Sequence, residues 1–173
     1  MNDTVIGFDL GTRKWSAGKA TESNGKVKLS DPYTVIAPEG MNRADQLWIL
    51  MASARSHILL NAPDIVVVEE PLQGNNRKYS LQIAEVKGAV LAGVASAIEK
   101  IPHNVYVTGA NVKTWKKDVL GNGNATKTDI ATFLTEHYRV YSAVCGNQDE
   151  LDAGCVAIYG ARIQSRARLL SEQ

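Results

Sequence analysis

Apolar positions open the chain in a short run, Thr4-Val-Ile-Gly-Phe-Asp9, which stops at Gly11 and resumes from Trp15 to Thr21, the pattern of strand, tight turn and strand. Asn24-Gly25 is a hairpin dipeptide. Beyond it Val27, Leu29, Tyr33, Val35 and Ile36 predict a third strand from Lys26 to Ala37, interrupted near Asp31-Pro32. The three are expected to form an antiparallel meander. From Asn42 to Leu60 the apolar residues Ala44, Leu47, Trp48, Met51, Ile58 and Leu59 recur at three- and four-residue steps, the stripe of an amphipathic helix closed by Pro63. Asp64-Ile-Val-Val-Val68 is the β-branched run of a strand buried on both faces, and it ends at Glu69-Glu70-Pro71. A polar loop from Gln73 to Lys78 precedes a second long helix, Leu81 to Ile98. Pro102 marks a break before a strand at Val105-Tyr-Val107. Asn111 to Val119 reads as a short helix, Gly121 to Asn124 as a loop, Lys127 to His137 as a helix and about Asp149 to Ser165 as the last one.

This order predicts an α/β fold: a mixed five-stranded sheet, three antiparallel strands and then two parallel ones, flanked by helices. No linker or repeat divides the 173 residues, 45% of them hydrophobic, so one domain spanning 1–173 is expected. Charge narrows the function classes. With 19 Lys plus Arg against 18 Asp plus Glu, the net +1 excludes both a simple polybasic binder and an acidic solvating chain. No run approaches the roughly 18 consecutive apolar residues of a membrane span, and Met1-Asn2-Asp3 lacks the layout of a signal peptide. A cytoplasmic protein with no membrane partner is expected. Cys145 and Cys155 form no CxxC pair and have no neighbouring His cluster, so they read as reduced structural thiols and not as zinc ligands.

Four carboxylates stand where folding alone does not ask for them. Asp9 follows Ile6-Gly7-Phe8 in the first strand, where a charge is costly to bury unpaired. Glu69 ends a strand otherwise made of Ile and Val, and Asp149 and Asp152 lie three apart at a helix start, on one face. Each has an ordinary explanation alone: a turn residue, a strand-end charge, acids favouring the positive end of a helix dipole. Together, with the first and fourth strands side by side and the last helix across them, they converge. Such a cluster needs divalent cations as compensation, and Mg²⁺ binds through carboxylates plus substrate phosphate oxygens. Phosphodiester hydrolysis is the chemistry that fits.

In Ile6-Gly-Phe-Asp-Leu-Gly-Thr12, Val67-Val-Glu-Glu70 and Asp149-Glu-Leu-Asp-Ala153 the chain resembles the RuvC family of Holliday junction resolvases, within the RNase H-like nucleases. Trp115-Lys-Lys-Asp-Val-Leu-Gly-Asn-Gly-Asn-Ala-Thr-Lys127 is similar to that family's lysine-containing stretch. The resemblance runs through nearly the whole chain. It implies an RNase H-like fold, with Asp9, Glu69, Asp149 and Asp152 as metal-binding catalytic carboxylates, and Lys116 and Lys127 in DNA binding and catalysis. Lys127 is expected at the scissile phosphate. It implies two Mg²⁺ ions per site, replaceable by Mn²⁺, and no small-molecule cofactor. The expected substrates are four-way and other branched DNA, nicked symmetrically by a homodimer to leave 5′ phosphate and 3′ hydroxyl ends.

Arg77, Lys78, Lys113, Lys116, Lys117 and Lys127, with Arg162, Arg166 and Arg168, are the expected phosphate contacts. The small residues of Ala84 to Ile98 offer a face for the second protomer. Two departures stand out: Leu72 where the family often carries an aromatic residue, with Tyr79 further along, and the Glu70-Pro71 continuation, for which phage-encoded relatives are one setting. Adjacent strand residues face opposite ways, so of Glu69 and Glu70 only Glu69 is assigned to the site. Three competitors remain: a YqgF-type RNA-processing nuclease, whose first strand also resembles Asp9-Leu-Gly-Thr-Arg-Lys14; an actin-like ATPase, which 173 residues are too few to build; and a non-catalytic junction-binding module.

Overall fold

The computed structural model describes residues 3–70 and 76–171, with side chains as far as residue 167. β1 (Asp3–Leu10), β2 (Lys14–Ser23) and β3 (Lys26–Ile36) pair antiparallel in sequence, and Asn24 and Gly25 both take the positive φ of a tight two-residue turn. The expected interruption at Asp31-Pro32 is a β-bulge. Ala17 pairs with Tyr33 and Lys19 with Ser30, so Asp31 and Pro32 stand opposite Gly18 alone. On an edge strand this costs no ladder bond that proline lacks.

α1 (Arg43–Asn61) begins at Asn42, whose side chain accepts the Asp45 N–H, and ends where Ala62 turns left-handed ahead of Pro63. β4 (Ile65–Glu70) lies parallel to β1, and β5 (Tyr106–Asn111) lies parallel to β4, giving the order β3-β2-β1-β4-β5. β5 starts and ends later than its apolar pattern predicts. Its ladder reaches Asn111 opposite Glu70 through Thr108, Gly109 and Ala110, small and polar residues with no strand signature. α2 (Arg77–Ile98) begins before its apolar stripe because Asn76 caps it, accepting the Tyr79 N–H. Arg77 and Lys78, expected in a loop, therefore occupy its first turn. α3 (Val112–Leu120) and α4 (Lys127–His137) follow the predicted bounds closely, and α6 (Gln148–Ser171) extends past its expected end. The six-residue α5 (Arg139–Val144) is too short for any periodic signal and is not predicted.

The two-residue period of the strands sorts the core. Ile6, Phe8, Val66 and Val68 face α1 and α2, where they meet Leu50, Ala54, Ile58, Val86 and Val90. Val5 and Val67 face the other way, toward Trp115, Ile130, Leu134, Val156 and Ile158 of α3, α4 and α6. α2 is not one continuous apolar run, since Gln82, Glu85 and Lys87 interrupt it. By length and composition it is apolar enough to cross a membrane, with a mean hydropathy of 1.4 over its best window. Its packing explains part of that character: Ile83, Val86, Val90, Gly93, Val94 and Ala97 are buried, and a side chain at Gly93 would strike the Met51 carbonyl of α1. Leu81, Ala84, Gly88, Ala92 and Ala95 form an exposed outer stripe.

Candidate active site

The same two-residue period places the acids. Asp9 shares a face with Val5 and Gly7, and Glu69 with Val67, so both point toward α6. Glu70 points to the opposite face, where its Oε1 lies 4.0 Å from Lys87 Nζ of α2. The parallel register pairs Phe8 with Val68, and one step further Asp9 and Glu69 stand close enough for each carboxyl to act on the other's charge. Trp115 of α3 donates its indole N–H to Glu69 Oε2 at 2.9 Å, fixing that side chain from behind.

The third and fourth acids arrive because α6 can lie unusually close to β1. A Cβ on Gly7 would sit 2.3 Å from the Ala157 amide nitrogen, and one on Gly160 would sit 2.5 Å from Val67 Cγ2. The helix start is pinned as well. Glu150 is buried, and its carboxylate accepts the Thr34 hydroxyl and the Gly146 N–H, each at 2.7 Å. The Tyr141 hydroxyl donates to the Glu150 carbonyl at 2.6 Å. Asp149 and Asp152 then open onto the cavity that Asp9 and Glu69 also line, about 380 Å³ in volume. Gln148 donates to Asp152 Oδ1 at 2.8 Å, and the Lys14 ammonium pairs with Asp149 Oδ2.

Electrostatics set these acids apart from surface carboxylates. Burial, and then the charges of Glu69, Asp152 and Asp149, raise the Asp9 pKa well above its ordinary value. Burial pushes Glu69 up to about 7 against the Trp115 hydrogen bond, and Asp152 is raised mainly by burial. Among the described residues no three acidic, His or Cys side chains already form a finished metal cage. The donor set nevertheless suits a hard divalent cation. It is all carboxylate oxygen, and burial together with mutual repulsion makes Asp9, Glu69 and Asp152 hold protons beyond the usual range.

The lysines divide by distance from the acids. Lys116, half-buried, donates to the Ala125 carbonyl at 2.8 Å, lies 5.7 Å from the centre of the Trp115 ring, and its charge lowers the pKa of Glu69 and Asp152. Lys127 is exposed at the start of α4, behind a capping box of Thr126 and Asp129, and also acts on Asp152. Arg77, Lys78, Lys113 and Lys117 are exposed. Arg162 and Arg166 are drawn onto Asp118 of α3, with Nη1 of Arg166 at 2.5 Å from Oδ2. Leu72, loop residues 73–75 and the Arg168 side chain lie outside the described residues.

Sequence reasoning assigns no site role to Lys14, Ser16 or Tyr79, which line the pocket, Tyr79 being named there only as an aromatic residue further along from Leu72. Lys14 and Ser16 follow Asp9 across the first turn, so their nearness is local. Ser16 is in fact the direct cross-strand partner of Asp9. Tyr79, half-exposed, reaches the cavity only because the Asn76 cap starts α2 early.

A family model described as crossover junction endodeoxyribonuclease RuvC matches residues 5–160. Curated relatives with that name include one from Carboxydothermus hydrogenoformans, 30% identical over 132 residues that cover 76% of this chain and 79% of the relative. Another, from Erythrobacter litoralis, is 30% identical over 175 residues, covering 96% and 98% of the two chains. Among solved structures, the chain superposes on Thermus thermophilus RuvC with a TM-score of 0.75 at 20% identity, covering 93% of this chain and 96% of that one. For T. thermophilus RuvC in complex with Holliday junction substrate the TM-score is 0.81 at 19% identity, with 95% and 96% covered. The predicted sheet, three antiparallel strands and two parallel, is thus the fold of these neighbours.

Proposed function

The chain belongs to the RuvC family of crossover junction endodeoxyribonucleases, and from that premise we propose that it resolves Holliday junctions with Asp9, Glu69, Asp149 and Asp152 as its metal-holding carboxylates. The observation that carries the reading is the meeting of four acids, two from strand ends and two from a helix start, in one cavity. Held by these four carboxylates, two Mg²⁺ ions per site, replaceable by Mn²⁺, would supply an activated water and positive charge at the scissile phosphate.

The chain's own residues prepare that chemistry. Asp9 and Glu69 give up the protons their burial retains, while Trp115 keeps Glu69 turned into the cavity. Lys127 holds the scissile phosphate, and Lys116 balances the acids from the α3 side. Arg77, Lys78, Lys113 and Lys117 grip neighbouring phosphates without reading bases. The products carry 5′ phosphate and 3′ hydroxyl ends. A two-fold homodimer supplies the two sites that symmetric nicks require, with the exposed stripe of α2 as its contact face. Other branched DNAs fall within the same reach. The compartment is the cytoplasm of a bacterium or a phage-infected host.

The test incubates the protein with a synthetic four-way junction, a linear duplex and a structured RNA, each with Mg²⁺ and with EDTA. Paired symmetric nicks in the junction, lost with EDTA and in Asp9→Asn, are expected. Cleavage confined to RNA overturns the reading in favour of an RNA-processing nuclease. Junction binding without any cleavage by the wild type leaves only a binding module.

A further inference from the structure

Lys14 is the one described cation in direct contact with a candidate metal ligand. It opens β2 immediately after the turn that follows Asp9, and its stem folds over that turn, so that a Cβ on Gly11 would lie 2.9 Å from its Cγ. Gly11 N–H to the Lys14 carbonyl, 2.9 Å, closes the turn and fixes where the side chain starts. Its ammonium lines the cavity and pairs with Asp149 Oδ2. Its neighbour Arg13 is engaged elsewhere, with Glu39 at 2.7 Å. Lys116 reaches the acids through space while its own hydrogen bond goes to a backbone carbonyl. An ammonium on Asp149 Oδ2 takes part of that carboxylate's acceptor capacity and repels, as a like charge, a divalent cation bound to the same group.

We propose that Lys14 is a positioning residue of the metal site: it holds Asp149 in the metal-free protein, and the incoming divalent cation must displace it. Lysine release and metal loading are then one exchange. The proposal rests on the reading of Asp149 as a metal ligand. Asp149 lines the same cavity as the other three acids, and its contact with Lys14 commits it to a resident cation. The exchange also gives Lys14 a definite partner change, since the freed ammonium stands in the cavity where a phosphate would dock.

The experiment measures Mn²⁺ binding by calorimetry and thermal unfolding with EDTA, on wild type, Lys14→Met, Lys14→Arg, Asp149→Asn and the Lys14→Met/Asp149→Asn double variant. Lys14→Met is expected to bind Mn²⁺ about two- to fivefold more tightly than wild type and to melt lower than wild type in EDTA. Saturating Mn²⁺ closes the melting gap. Lys14→Arg, which keeps the cation, behaves as wild type. In the Asp149→Asn background the lysine substitution changes Mn²⁺ affinity no further, because the exchange partner is gone. Unchanged or weaker Mn²⁺ binding by Lys14→Met overturns the proposal, and so does equal tightening in the Asp149→Asn background, which marks a general field effect. A wild type that binds no Mn²⁺ overturns the metal-site reading itself.

Discussion

Glu69 and His57 lie on opposite sides of the sheet, and burial moves them in opposite directions. His57 of α1 is 9% exposed, stacked on Tyr33 at 5.5 Å and beside Phe8 and Trp15, with no hydrogen-bond partner for its buried Nε2 among the described residues. Burial lowers its pKa from 6.5 to about 4. The unfolded chain binds this proton more tightly, so the stability that neutral His57 contributes is full above pH 6.5 and is lost as pH falls toward about 4. The loss amounts to roughly 3 kcal/mol. Glu69 has the reverse sign. Its folded pKa of about 7 lies above the ordinary 4.5, so metal-free stability is full below 4.5 and drains away as pH rises through 7. Asp9 and Asp152 add in the same direction. Urea unfolding in EDTA should therefore show His57→Leu losing less stability than wild type on acidification, and Glu69→Gln losing less on going from pH 5 to pH 8. Asp9→Asn should be more stable than wild type at pH 8 without metal, by about 1 to 2 kcal/mol, while cleaving nothing. These acids were legible because a carboxylate in an Ile and Val strand contradicts its surroundings. Lys14 carried no such contradiction: a lysine after a turn is an ordinary surface residue until Asp149 is folded onto it.

At the scale of elements, the site depends on how closely α6 lies on β1. Gly7→Ala puts a methyl 2.3 Å from the Ala157 amide nitrogen, a backbone atom that cannot swing away. The helix must lift, at a cost of about 1 to 3 kcal/mol for an overpacked core. Asp149 and Asp152 are carried from Asp9 as it does so. The expected result is a lower melting temperature together with weaker Mn²⁺ binding, whereas Gly88→Ala in α2, where a Cβ meets nothing within 4 Å, leaves Mn²⁺ binding unchanged. This contact also marks where sequence reading stops. Strand alternation, the Asn24-Gly25 turn and the helix stripes gave the sheet and most helices, since each is a local pattern. The glycines of α6 and β1 carry no local signal of their own, because their value lies in partners far along the chain, Ala157 for Gly7 and Val67 for Gly160. Asn76, Thr108 to Asn111 and the short α5 escaped for the opposite reason, being polar or brief with no periodicity to read. The two acids of α6 were visible, but the Glu150 anchor that orients them needs Thr34, Gly146 and Tyr141 in place.

For the whole molecule the net charge of +1 is a sum over two unlike regions. The acids gather at the carboxyl ends of β1 and β4, and α2, α3 and α4 carry exposed cations. The turn between β2 and β3 lies at the far end of the sheet, since Asp3 pairs with Glu22 while Asp9 pairs with Ser16. DNA docked on the acidic cavity is expected to contact Lys113 and Lys117 of α3 but not Lys26 or Lys28. Each phosphate contact releases about one condensed counterion, so log affinity falls against log salt with a slope near −0.9 per contact. Replacing both Lys113 and Lys117 by Ala should reduce that slope by about 2 for each protomer engaged. Replacing Lys26 and Lys28 removes the same net charge and should leave the slope unchanged. The measurement is junction affinity for Asp9→Asn, in which cleavage is silent, between about 50 and 200 mM salt with Mg²⁺ held constant. Equal slopes for the two double variants would mean that the protein's overall field, and not the rim of the cavity, holds the junction.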